Sequence, residues 1–347
     1  MTIFERCALA LLGTLVVALF AMAVWVPLDI RTAAPQATFL YAGSAPIPLP
    51  FDDEPAVVPE VEPAHPRMTV ETAADTFAGM GYDLDAVLAG DDPVPRVILT
   101  RIPAGLEDIP ETKVRKALFF QTVLPLVLKV NEEITQERKR LWQIRAARAM
   151  GRKLSAIDRL WIAVICDKYK VARGDLDALL DRIDIVPPSV ALAQAAEESG
   201  WGTSRFVREG NAIFGQWTFS RTRGLMPRER DEGETHRVRT FDNLLESVRA
   251  YALNLNTHRA YRGFREVRAD LRTEGQPMAG TRLLPTLTPY SERGKDYVRT
   301  LRQIIAVNDL TRADETRLRG RDDDSGLMMA GEPSPKTIAT VESDETI

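Results

Sequence analysis

Hydrophobic residues along this 347-residue chain fall into a few distinct patterns. Cys7 to Val26 is an apolar run without a charge. From Glu111 to Met150, Leu118, Phe119, Val123, Leu126, Val127 and Val130 recur at helical spacing, with Pro125 placed to kink the helix. Ser155 to Asp158 matches a helix-starting capping box, and the helix behind it carries Leu160, Trp161, Val164 and Ile165. Asp175 to Asp181 reads as a short amphipathic helix. Asn243 to His258 puts Leu244, Leu245, Val248, Tyr251, Ala252 and Leu255 on one face, and two further helices are expected at Phe264–Thr273 and before Ile305. Strand character is confined to Val97–Ile102 and to the weak alternation of His236–Phe241.

The stretch Ser189 to Phe219 breaks these patterns. Pro187 and Pro188 mark a helix start, since the first helical position tolerates a residue without an N–H. Val190 to Ala196 is apolar on every side apart from Gln194, as in a helix enclosed by its domain. It then ends in two adjacent acids, Glu197 and Glu198, with Gly200 placed for a left-handed cap. Two carboxylates at such an end either reach solvent or sit where burial and the negative helix terminus both raise their pKa. A carboxylic acid kept protonated near neutral pH is the group a glycosidase uses as its general acid. Periodicity does not choose between the two readings.

Two short boxes carry a resemblance. Glu198-Ser199-Gly200-Trp201-Gly202 followed by Asn211-Ala212-Ile213-Phe214-Gly215 resembles the signature of the peptidoglycan glucosaminidases. These are glycoside hydrolase family 73 and the flagellar muramidases, and within them the Bax-type branch is most similar, from about residue 110 to 309. The resemblance implies an α+β, mainly helical, lysozyme-like domain with a small β-lobe. It implies hydrolysis of the peptidoglycan glycan strand between N-acetylglucosamine and N-acetylmuramic acid, with Glu198 as general acid and no cofactor or metal. Trp201, Phe214 and Tyr290 are its candidate substrate-binding residues; Tyr290 and Tyr297 match the family's paired tyrosines only loosely, across an altered spacer. Two other readings use the same residues: a non-catalytic cell-wall binding module, and a lytic transglycosylase that needs only one acid.

A conventional glycosidase needs a second carboxylate across the cleft. The polar interlude after Gly215 holds Glu229, Asp231, Glu232, Glu234 and Asp242. Asp242 precedes a helix and reads as an N-cap. Glu229 and Asp231 are flanked by arginines. Glu234, just before the expected strand, is the choice on placement, with Glu232 next.

Composition adds limits. The net charge of −4 gives no basic footprint for nucleic acid. The cysteines, Cys7 and Cys166, are poorly placed to pair, and His65, His236 and His258 lack metal-ligand spacing. The Cys7–Val26 run is about the 20 residues that span a bilayer, longer than the apolar core of a cleaved signal. An uncleaved anchor in the bacterial inner membrane is therefore expected, with the remainder in the periplasm; a cleaved signal and a soluble periplasmic protein is the alternative. The expected organisation is an anchor over 1–30, a Pro/Ala/acidic linker over 31–67, a poorly defined segment over 68–110, the glucosaminidase domain over 111–310 and a disordered tail over 311–347.

Overall fold

The structure, a computed structural model, describes residues 67–218, 224–226, 237–320 and 328–330. The expected anchor, the linker and Glu229 to Glu234 lie outside these residues. Among the described residues no helix is long and apolar enough to cross a membrane.

The fold is mainly helical. Two short helices, α1 (Val70–Gly79) and α2 (Leu84–Ala89), lead into strand β1 (Val97–Leu99). Their starts are local chemistry: Thr69 Oγ1 accepts from Thr72 N, and Asp83 Oδ1 from Asp85 N. Then α3 (Thr112–Ala149) runs unbroken for 38 residues with Pro125 buried inside it. It is followed by α4 (Ala156–Tyr169), α5 (Leu176–Arg182), α6 (Pro188–Ser199) and α7 (Arg205–Gly210). The capping box at Ser155 is formed, Asp158 N donating to Ser155 Oγ at 3.0 Å.

A small three-stranded sheet follows, from β2 (Trp217–Thr218), β3 (Gly224–Leu225) and β4 (Arg237–Arg239). Its order is β2-β4-β3 and both pairings are antiparallel, with Trp217 opposite Val238 and Gly224 opposite Arg239. This is the expected β-lobe. Helices α8 (Leu244–Thr257), α9 (Arg262–Thr273), α10 (Gly280–Leu283) and α11 (Lys295–Val307) return to the helical body, and β5 (Met328–Ala330) pairs in parallel with β1. The cap of α8 corrects one expectation. Asn243, not Asp242, is its N-cap, its Oδ1 accepting from Glu246 N, while Asp242 is exposed.

One hydrophobic cluster runs from Ala73 to Leu318. The segment 68–110 belongs to it through Phe77, Val87 and Leu106. So does part of what was expected to be a disordered tail: Leu310–Glu315 forms a 3-10 turn with Leu310 and Ala313 fully buried. That turn holds the start of α6. Asp314 accepts from Ser189 N and Oγ (both 2.8 Å) and from Gly280 N (2.7 Å). A carboxylate at a helix N-terminus meets free N–H groups and the positive end of the dipole. Burial nonetheless raises its carboxyl above the ordinary aspartate range.

The entry to α6 is fixed from the other side by buried polar groups. Asn131 of α3 donates to Val186 O and accepts from Val186 N. Arg268 of α9, fully buried, donates to Asp184 O, Ile185 O and Asn256 Oδ1. Arg272 forks onto the Asp184 carboxylate at 2.9 and 3.1 Å. The terminal nitrogens of the buried Arg268 guanidinium are satisfied in this way, which offsets most of the cost of burying it, while its Nε is left without a partner.

Candidate active site

Helix α6 is enclosed by α3, α11 and the 3-10 turn at 310–315. Every residue from Pro188 to Ala196 is buried, and the alanines at 191, 193, 195 and 196 let neighbours approach closely. Glu197 and Glu198 stand at its C-terminal end, where the enclosure opens.

The Glu-Ser-Gly-Trp-Gly box is a tightly wound exit. Gly200, Trp201 and Gly202 take φ of 57°, 59° and 81° in succession. Glycine adopts that region freely; a tryptophan does so only at a cost of about 1–2 kcal/mol. Ser199 supports the turn, its Oγ donating to Ala195 O (2.6 Å) and accepting from Gly202 N (2.9 Å). At Gly202 a Cβ would come within 2.9 Å of Leu106 and 3.0 Å of Phe119, so the close approach also excludes a side chain.

The second box folds against the first. Asn211 occupies the left-handed region (φ 53°), and its Nδ2 donates to Phe241 O at 2.9 Å and Asp242 O at 3.2 Å, tying the turn to the start of α8. Gly215 (φ 57°) brings the backbone beside the acid: a Cβ built there lies 3.8 Å from Glu198 Oε2.

Glu198 lies on the wall of a groove of about 1100 Å³, with Gly215, Gln216, Tyr261 and Tyr290 among its neighbours there. Burial raises its carboxyl above the ordinary glutamate range. The Tyr297 hydroxyl, donating to Oε1 at 2.7 Å, opposes that shift, while the charge of Glu197 adds to it and Arg293 counters it. Glu197 turns outward into an ion pair with Arg293. The two adjacent acids therefore differ as a half-buried carboxyl whose pKa is raised and a carboxylate paired with Arg293.

Behind Glu198 runs a buried chain of hydrogen bonds. Tyr251 OH donates to Gln194 Oε1 (2.7 Å), Gln194 Nε2 donates to Tyr297 OH (2.9 Å), and Tyr297 OH donates to Glu198. Gln194, the one polar residue in the apolar stretch of α6, thus joins α8 to α11 behind the acid. Each hydroxyl has a single proton, so the chain fixes one donor direction at every step. Sequence reading gave none of these three residues a role at the acid. The signal for Gln194 was its polarity inside an otherwise apolar helix.

The predicted aromatic contacts divide. Tyr290 lines the groove; its ring lies parallel to Tyr297 at 5.6 Å and tilted to Tyr261 at 5.8 Å, and its hydroxyl reaches Phe214 O at 3.4 Å. Tyr261, almost fully buried, borders the same wall, and burial pushes its hydroxyl up to about 12. Phe214 is 2% exposed and stacks face to face on Tyr251 at 3.7 Å, so its ring backs the wall and offers no face to a ligand. Trp201 is outside the groove lining. Its ring packs edge-on against Phe119 and Phe120 with Lys116 Nζ over its face at 4.3 Å, the arrangement of a residue closing the helix end.

Another part of the groove lining is charged. Arg249 of α8 forks onto Glu133 of α3 at 2.9 and 2.8 Å and bonds Glu246 at 2.7 Å. Burial pushes the Glu133 carboxyl up, but Arg249 and Lys129 outweigh it and hold the group below the ordinary range. Glu234 lies outside the described residues, so its distance from Glu198 is not defined.

Comparison with known proteins finds relatives over the region that holds this site. The Glucosaminidase family, described as mannosyl-glycoprotein endo-beta-N-acetylglucosaminidase, matches residues 176–310. That span contains both boxes, Glu198 and its hydrogen-bonded partners. Protein bax of Escherichia coli (strain K12) is 35% identical over 198 residues, covering 55% of this chain and 69% of that protein. The catalytic domain of the autolysin Auto from Listeria monocytogenes aligns over 49% of this chain and 96% of its own at 18% identity, with a TM-score of 0.30. The chain is a glycoside hydrolase with a glucosaminidase domain. It belongs to the Bax-type glucosaminidase family.

Proposed function

We propose that the chain hydrolyses the glycan strand of peptidoglycan, cutting the bond from N-acetylglucosamine to N-acetylmuramic acid, with Glu198 as general acid. The observation that carries this reading is the Glu198 carboxyl on the groove wall, raised by burial and oriented by the Tyr297 hydroxyl. A carboxyl whose pKa is raised keeps its proton to higher pH than a free glutamate and can deliver it to the leaving glycosidic oxygen as the bond breaks. Tyr290, half-buried on the same wall, is the aromatic ring beside it, and a ring face suits the C–H face of a sugar.

Glu234 is the second carboxylate in this proposal, on its sequence position. Glu133 is ionised in the same groove, but Arg249 occupies both of its oxygens. Alanine substitution of Glu229, Asp231, Glu232, Glu234 and Asp242 on purified glycan tests the choice. Near-normal turnover in all five, beside an inactive Glu198→Gln, leaves assistance to the substrate's own N-acetyl group.

The test of the whole reading is mass spectrometry of the products from purified sacculi. New reducing N-acetylglucosamine ends are expected; anhydro-muramic ends overturn the hydrolytic reading in favour of a transglycosylase. We place the domain in the periplasm, tethered through residues 7–26. A mature N-terminus near residues 30–36 overturns the tether.

A further inference from the structure

Helix α4 leaves aliphatic side chains in water. Ile157 is 72% exposed, Leu160 67% and Val164 58%. At 100° per residue these three fall within about 60° of one another, so they make one stripe. The inward face is made instead by Ile165, Cys166 and Tyr169. Trp161 borders the stripe, half-buried under the Arg140 guanidinium at 4.8 Å. None of the stripe residues lines the groove.

The surroundings of the stripe are cationic. Between positions 152 and 173 six lysines and arginines stand against two aspartates. Both aspartates are engaged, Asp158 by Arg140 and Asp167 by Arg173. Arg152, Lys153 and Arg159 are exposed and take part in no ion pair among the described residues. Three aliphatic side chains cover only a few hundred Å², well short of the roughly 800 Å² per partner of a stable protein interface. A shallow apolar stripe on a segment with an excess of cations matches a different partner, the boundary between headgroups and acyl chains in an anionic bilayer.

We propose that α4 docks on an anionic lipid surface, with Ile157, Leu160 and Val164 in the headgroup–acyl boundary and Arg152 and Lys153, just before the helix, on lipid phosphates. This is independent of the chemistry assigned to Glu198. It would give the domain a contact of its own with the bilayer.

The test is hydrogen–deuterium exchange of the full chain reconstituted in vesicles, with and without phosphatidylglycerol in phosphatidylcholine. Amides of residues 156–164 should exchange about tenfold more slowly in the anionic vesicles, a local protection distinct from global stability. High salt should relieve part of it, because surface charges are screened. The Ile157→Ser, Leu160→Ser, Val164→Ser triple variant should lose it while still cleaving purified glycan. Equal exchange in the two lipids, or protection that survives in the triple variant, overturns the proposal. So does protection that rises with protein concentration in lipid-free detergent, which would identify the stripe as a contact between copies.

Discussion

Helix α6 encloses a glutamine and presents a half-buried glutamate, whereas α4, two elements earlier, leaves an isoleucine, a leucine and a valine in water. Each helix departs from the rule that apolar side chains go inside and charges stay out. In α6 the polar groups are tolerable because they are partnered: Gln194 is held at both ends by tyrosines, and Glu198 accepts from one of them, Tyr297. In α4 the apolar groups have no partner among the described residues. The difference teaches where to look for function. Inside, it lies in polar groups whose burial is compensated; outside, in apolar groups whose exposure is not.

The comparison breaks most directly at the acid. Glu198→Gln keeps the shape of the side chain but removes the transferable proton, so kcat should fall about 10²–10⁴-fold. Folding should not suffer. A carboxyl whose folded pKa is raised contributes stability below its unfolded value and loses it as pH rises through the folded value. Wild-type protein should therefore lose stability through the mildly acidic range in a way that Glu198→Gln does not, and the variant should melt higher at neutral pH than wild type. Thermal melts of both proteins across pH check this; a variant that melts lower at neutral pH contradicts the buried-acid reading.

Next is the chain behind the acid. Gln194→Leu leaves two buried hydroxyls, those of Tyr251 and Tyr297, each short of a partner. The expected loss is about 1–3 kcal/mol by urea unfolding. A leucine that is neutral or stabilising would mean the network repacks and does not hold Glu198.

Smaller effects come from the groups that tune the acid. Tyr297→Phe removes the hydrogen bond that lowers the Glu198 pKa, so the alkaline limb of kcat/KM should move to higher pH. Glu197→Gln removes a charge that raises it and leaves Arg293 unpaired nearby, so the same limb should move to lower pH with little loss of maximal rate. Opposite movements in the two profiles separate tuning of the acid from general damage; limbs that move together contradict the assignment.

Much of this was legible before any coordinates. The start of α6 at Pro188, the glycine cap at Gly200, the capping box at Ser155 and the stripe of α8 are local signals, read from neighbours within a few residues. Glu198 was legible from its box. The hydrogen-bonded chain was not, because Gln194 meets Tyr251 and Tyr297 across 57 and 103 residues. Nor were side-chain directions: Trp201 and Phe214 stand in the right boxes, yet their rings turn to Phe119, Phe120 and Tyr251. The turn at 310–315 has a polar composition that hides how Leu310 and Ala313 plug the base of α6. In α4 the sequence grouped Leu160 and Val164 with Ile165 as apolar positions of one helix. Periodicity reveals a stripe, but which stripe is covered depends on what packs against it.

The smallest expected effect concerns that stripe. Leu160 and Ile165 sit on the same helix, five residues apart, at 67% and 3% exposure. Ile165→Ala removes packed atoms and should cost about 2–5 kcal/mol, depending on how far the site collapses. Leu160→Ser removes an aliphatic group that is already mostly hydrated, and surface changes of this kind stay within about 0.5 kcal/mol. Serine is also only slightly poorer than leucine as a helix former, so propensity does not obscure the result. Urea denaturation of the two variants in detergent, without lipid, measures the asymmetry directly. A Leu160→Ser loss approaching that of Ile165→Ala would mean the stripe is covered within the chain, and α4 would then be an ordinary two-sided core helix with no free face.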